Sequence, residues 1–356
     1  MDGGLFIKEK PITLSLFIFT FLCFIFLSTK AQALVYCVGC SSATAATCDG
    51  SAASACNTEC PAAVVCPTIA AALTCIDNNN DPNATIRIAQ NPPMMPYIGP
   101  GSMNPINNTA TMAAQTINIL GGWTATTCAI QTLNPTNTIV EADMDDRVFL
   151  INNTTNFSLD VTLEGLTITG GDPMPDCGGI TDPGGGVCVS STAGTGGVIF
   201  TSGTNIYEDN MANFIGGGLA VITKTGGNIN ATTMNDTFTN NSSISGGAMV
   251  FVCDGATQLD ATISGDIIGG DFPFPLGGNE AGNSGGGIAI FGDGLGELNV
   301  TSQGNLIKSN SSGNRGGGVF IINDSSQPAN VSFEGDEITF NEALGSGGGI
   351  VIVSDL

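Results

Sequence analysis

Histidine is missing from all 356 residues of this chain. Its absence removes the commonest general base, the commonest zinc ligand and every serine–histidine or cysteine–histidine nucleophile pair. Positive charge is almost as scarce. Lys and Arg total 8 against 31 Asp and Glu, a formal net charge of −23, and Lys8, Lys10 and Lys30 lie near the N-terminus. Nucleic-acid binding needs clustered Lys and Arg to neutralise phosphates, so it is ruled out as a partner class. Acidic polysaccharides are disfavoured on the same ground. After residue 33 no apolar run approaches the roughly 20 residues of a membrane-spanning helix, and no helical period of useful length appears.

The N-terminus reads as an export signal. Lys8 and Lys10 precede an apolar run from Ile12 to Leu27, and Ala31-Gln32-Ala33 supplies a small-x-small cleavage pattern. The expectation is a signal peptide over 1–33 with the mature chain starting at Leu34. A membrane anchor is disfavoured by the length of the run, and a lipid-anchored Cys37 by the bulky Tyr36 before it. Twelve cysteines are present, of which Cys23 leaves with the signal. Seven of the rest, from Cys37 to Cys75, crowd into residues 34–83. In an exported chain this spacing predicts a small disulfide-stapled module. Metal binding at Cys37-x-x-Cys40 is the weaker alternative.

From about residue 165 a block of about 31 residues recurs. Glycine triplets, one of them Gly-Gly-Ala, end at Gly186, Gly218, Ala248, Gly287, Gly318 and Gly349, and each runs into a short apolar strand. A second apolar pair at i, i+2 follows, as at Val198 and Phe200 or Val331 and Phe333. Then an aromatic or aliphatic residue precedes an amide or acid by three: Tyr207 and Asn210, Phe238 and Asn241, Ile268 and Asp271, Ile307 and Asn310, Ile338 and Asn341. A fixed period with three short strands per unit predicts an all-β solenoid, a right-handed parallel β-helix of about nine coils over 84–356. Like residues then stack at about 4.8 Å, and the asparagines form a ladder.

Two segments carry a family resemblance. Gly246-Gly247-Ala248-Met249 and Phe238-Thr239-Asn240-Asn241 resemble the paired repeats of the chlamydial polymorphic outer-membrane proteins. Ile119–Trp123 and Glu164–Gly171 are similar to stretches of secreted bacterial right-handed β-helix proteins. Over residues 84–356 the resemblance implies this fold, secretion, association with the outer membrane or surface, and often adhesion. No C-terminal translocator barrel is visible to anchor the chain. Because the last repeat stops after its first strand, the expectation is a fragment truncated at the C-terminus, or an end that pairs edge to edge with another chain.

Stacking the strands after the triplets puts Val187, Leu219, Met249, Ile288, Val319 and Ile350 in one inward column. The opposite face is apolar too. Ile222, Val250, Val252, Phe291, Phe320, Ile322, Val351 and Val353 are therefore read as an outward stripe that meets another chain (a second copy included), another domain or a membrane, against the alternative of burial under loops of the same chain. The longest repeat carries an insertion around Phe272 and Phe274, read as a binding loop for a protein or sugar partner. Cys177 is placed to bridge Cys188, which leaves Cys253 as the free thiol.

Catalysis would have to rest on carboxylates. Glu141, Asp143, Asp145 and Asp146 cluster before Arg147, but a solvated acidic turn is the favoured reading. No cofactor is expected, with calcium left as an option: Asp77 and Asp81 sit in a loop that lacks the glycine and distal glutamate of a full calcium site, and Asp293 and Glu297 form a second weak oxygen pair. Sequons such as Asn83, Asn230, Asn299 and Asn330 follow from the Asn, Ser and Thr content. Together these observations predict an exported surface or extracellular protein that binds a protein or glycan. The alternative is a polysaccharide hydrolase or lyase on the same fold.

Overall fold

In the computed structural model, the described residues are 34–41, 65–90, 96–99, 104–108, 114–142, 146–172, 177, 179–192, 196–224, 227–255, 257–270 and 277–354. All belong to one compact unit, Leu34–Leu356. The expected signal segment, Phe272, Phe274, Asp143, Asp145 and Asp271 lie outside the described residues.

Each repeat contributes one strand to each of three long parallel sheets of ten, eight and eight strands. In the coil after the first triplet these are Val198–Gly203 in the first sheet, Ile206–Glu208 in the second and Leu219–Lys224 in the third. This is a parallel β-helix. The inward column runs in register as expected: Val187 pairs with Leu219, then Met249, Ile288, Val319 and Ile350. Strands of the first sheet alternate buried and part-exposed side chains, as in Leu159–Glu164, because one face looks to solvent. Strand Val187–Ser191 of the third sheet is buried at every position.

The register corrects the sequence reading in four places. Val331 stacks on Val300 and Phe333 on Ser302, so the pair equivalent to Leu298 and Val300 is Ala329 and Val331, with Phe333 also packed on the core. In the long repeat the asparagine rung is Asn279, not Asp271. Its insertion is closed at the neck, where a methyl group on Gly270 would lie 2.4 Å from the Gly277 carbonyl carbon. A fourth, smaller parallel sheet, built from Ser242–Ser245, Glu280–Ser284, Ser311–Ser312 and Glu342–Ala343, was not anticipated.

The fourth correction concerns the cysteine-rich stretch. Strand Leu34–Val38 pairs in parallel with Asn83–Ala89 and so extends the first sheet. A helix, α1 (Ile69–Asn79), follows, capped by the Thr68 side chain, which accepts from the Ala71 N–H, and ended by Asn80 in the left-handed region. Its buried face, Ile69, Ala72, Leu73, Cys75 and Ile76, joins the main core. The alanines between those positions hide the helical period in a run that looks merely small and apolar.

Glycines punctuate each coil for two separate reasons. The first of each triplet has positive φ, +66° at Gly216 and +70° at Gly246. The middle one touches backbone: a Cβ on Gly217 would sit 2.5 Å from the Gly247 oxygen and 2.6 Å from both the nitrogen and the oxygen of Ser242. The third position is looser, and Ala248 occupies it.

Candidate functional site

Two ladders of polar side chains edge the second sheet and fix the shape of the surface around it. On one side Asn210, Asn241, Asn279, Asn310 and Asn341 stack. Each Oδ1 accepts from the backbone and side-chain N–H of the rung before, as Asn279 does from Asn241 at 3.0 Å each. Each Nδ2 also donates to a backbone carbonyl one coil earlier, Asn241 to Tyr207 at 2.8 Å. Burial is nearly complete at all but the last rung. Stacked aromatics sit beside them, with Tyr207 and Phe238 ring centroids 4.4 Å apart.

The outer side of this corner is a groove. One part, of about 260 Å³, is lined by Gly170, Gly171, Asp172, Asp209, Met211 and Asn240, among others. A second part, of about 370 Å³, adjoins it and shares Met211 and Ser242; it continues past Asn213, Ser243 and Ile244 to Glu280. The corner is built by residues in the left-handed region, Asp209 at φ +55° and Asn240 at +53°, which aim their side chains outward. Three apolar side chains stand open beside it: Met211, Phe214 and Ile244, 46%, 54% and 44% exposed. Ile244 donates its N–H to the Phe214 carbonyl, so the last two are neighbours on adjacent coils. Glu208, next to the groove, has its carboxyl raised above the usual range by burial and by Asp209. The lining offers hydroxyl, amide and carboxylate partners interspersed with the apolar side chains of Met211 and Ile244.

Sequence reasoning missed this groove. Its signal was the unpaired Met211, Phe214 and Ile244 in segments that read as turns.

The other candidates fare differently. Glu141 and Asp146 are half-buried, and Asp146 Oδ1 accepts from the Arg147 N–H at 2.8 Å. Arg147 is fully buried, so it offers no surface base to a lyase. The calcium candidates Asp77 and Asp81 differ in their surroundings. Asp77 lies within α1, its carboxyl raised to about 6 by burial, and Asp81 is buried and accepts from the Tyr36 hydroxyl. Asp293 and Glu297 are exposed. Among the described residues, Cys37, Cys40 and Cys128 are the group of three or more possible ligands whose sulfurs converge within 4.8 Å. Cys40 and Cys128 form a disulfide and Cys37 is disulfide-bonded too, so these sulfurs are not free to hold a metal.

The outward stripe is corrected as well. Ile222 and Val250 are fully buried, Val252 and Phe320 nearly so, and Phe291 and Ile322 half-buried. Ile222, Val250 and Val252 form a second core with Cys177, Cys188 and Ile215, against which Ile180 packs. The Cys177–Cys188 disulfide pins that cover in place, and Cys253 is left as a buried free thiol. The stripe is therefore internal packing at Ile222, Val250, Val252 and Phe320, whereas Phe291, Ile322, Val351 and Val353 stay half-buried.

No helix among the described residues is long and apolar enough to cross a membrane. No family model, curated protein or solved structure matches this chain.

Proposed function

We propose that this chain is an exported, surface-associated or extracellular binding protein whose ligand is a neutral glycan held in the groove beside the asparagine ladder. The observation that carries the reading is the groove itself, two adjoining hollows sharing Met211 and Ser242, whose lining mixes carboxylate, amide and hydroxyl side chains with the exposed Met211 and Ile244. Sugar rings present hydroxyls at their edges and C–H faces above and below, which suits such a lining. The net charge of −23 turns away acidic polymers. Disulfides at Cys40–Cys128 and Cys177–Cys188 support an oxidising compartment, consistent with removal of a signal before Leu34. An array of neutral and acidic glycans should return neutral binders only. Asp209→Ala and Met211→Ala should each weaken that binding by about tenfold or more while the circular dichroism spectrum stays unchanged. Retained binding in both variants would remove the groove from the proposal.

One observation favours the enzymatic alternative. Asp172 and Asp209 line the same hollow, and a carboxyl pair is what glycoside hydrolysis uses. Release of reducing ends from a neutral polysaccharide, abolished by Asp209→Asn, would establish it. Binding without turnover would leave the interaction role.

A further inference from the structure

The second ladder, on the other side of the second sheet, is not all amide. Its rungs are Asn205, Asp236, Asp266, Asn305 and Asp336. As in the first ladder, each Oδ1 accepts the backbone N–H of the rung before it: Asp236 from Asn205 at 2.7 Å, Asp266 from Asp236 at 2.8 Å, Asn305 from Asp266 at 2.7 Å and Asp336 from Asn305 at 2.7 Å. The second side-chain atom differs. At the amide rungs it is a donor. Asn205 Nδ2 reaches the Leu163 carbonyl at 2.8 Å and Ser202 Oγ at 2.9 Å; Asn305 Nδ2 reaches Ile263 and Ser302 in the same way, at 2.9 Å each.

At Asp236 and Asp266 an oxygen takes the place of that NH₂. The strand register makes Leu163, Ser202, Thr233 and Ile263 equivalent. The oxygen therefore stands where an amide would donate to the carbonyl of Ser202 or of Thr233. For Asp266 the Thr233 hydroxyl supplies a donor, Oγ1 to Oδ2 at 2.6 Å. For Asp236, which is 1% exposed, Oδ2 meets no donor at full hydrogen-bond geometry; the Ser202 hydroxyl close to it is paired with the Tyr207 hydroxyl at 2.7 Å. An ionised carboxylate there would set a buried lone pair against a carbonyl lone pair, whereas a carboxylic acid O–H restores the missing donor.

We propose that Asp236 is kept as a neutral carboxylic acid whose O–H replaces the amide donor of the ladder, so that the centre of the solenoid holds a structural proton and loosens when that proton is withdrawn. Burial raises the Asp236 carboxyl well above the ordinary range, and Asp266 adds to it. The Ser202 hydroxyl and the Asn205 and Met234 backbone pull it back by less. Asp266 itself is raised to about 7, first by burial, against the Thr233 hydroxyl and the Asp236 backbone. The other titratable group facing the pair is Tyr207, bonded to Ser202 Oγ at 2.7 Å and raised above its usual value by burial and by both aspartates. No cation acts on any of the three.

The sign follows from the raised folded-state values. Both groups bind their protons more tightly in the folded chain, so their contribution is complete below about pH 4, the unfolded value. It is lost as pH rises through about 7 for Asp266, and as pH rises through the raised value of Asp236. Infrared spectroscopy of the intact protein at pH 7 should show the carbonyl stretch of a protonated carboxylic acid, weakened in Asp236→Asn, where the remainder comes from Asp266. The urea midpoint of the wild type should fall between pH 5 and pH 9. Asp236→Asn, which restores the amide rung, should flatten that fall and favour the folded state by at least about tenfold at pH 9. No protonated carboxyl band in the wild type at pH 7, a measurement independent of any variant's folding, would overturn the proposal. So would parallel pH dependences in wild type and Asp236→Asn.

Discussion

At the residue scale, the asparagines of the first ladder carry structure out of proportion to their size. Asn241 accepts two N–H groups from Asn210 and donates to the Tyr207 carbonyl and to Asn279. Asn241→Ala orphans several of these at once in a dry interior, and should cost about 3–5 kcal/mol in urea unfolding. Asn314 also stacks on a neighbour, Asn283, but is exposed. Asn314→Ala should change stability by less than about 0.5 kcal/mol. Equal effects would mean that burial does not set the cost. The glycines divide in the same way. Gly217→Ala presses a methyl into backbone on two sides and should cost about 2–3 kcal/mol, whereas Gly218→Ala, at the position Ala248 fills, should cost under about 1. Thermal midpoints of the two variants test the difference. These residues were legible in the sequence because stacking repeats them at a fixed interval. Asn279 was not: the insertion before it broke the interval, and Asp271 stood where counting placed the rung. The buried proton site was hidden too. Asn and Asp look interchangeable in a turn, and only the register reveals which atom faces a carbonyl.

At the element scale, the sheets and their inward column could be read from the triplets, but coverage of the outward column could not. Alternation says which residues share a face. It does not say what lies over that face when both faces are apolar. The cover here comes from the segment around Cys177 and Ile180, held by the bridge to Cys188 across 11 residues. Replacing both cysteines by alanine should cost about 2–3 kcal/mol. It should also expose Ile222 and Val250 enough to bind a dye that reports apolar surface. An unchanged dye signal would show that the cover stays down without its staple. Helix α1 was missed for a different reason: its alanines pack as core without contrast against the polar face.

At the scale of the whole molecule, charge opposes compaction. With 31 acidic residues against 8 basic ones, most carboxylates have no cation to pair with. The ion pair Lys224–Asp254 is long, at 4.0 Å, and about a third exposed on each side, so it adds little. Screening should therefore stabilise the solenoid. Raising sodium chloride from about 0.02 M to about 0.5 M shortens the range of repulsion from about 20 Å to about 4 Å, and the thermal midpoint should climb. A midpoint that falls with salt would mean that specific surface attractions outweigh the net repulsion.

The clasp between Gly270 and Gly277 bears on how such a gene can change length. Extra codons placed between those two glycines leave the beads on either side threaded in step, since Asn279 takes up its rung regardless. A single codon lost between Asn279 and Gly287 has no such slack, and would turn every later side chain of that strand inside out. Drift in this lineage should accordingly pile up between Gly270 and Gly277 and spare the treads.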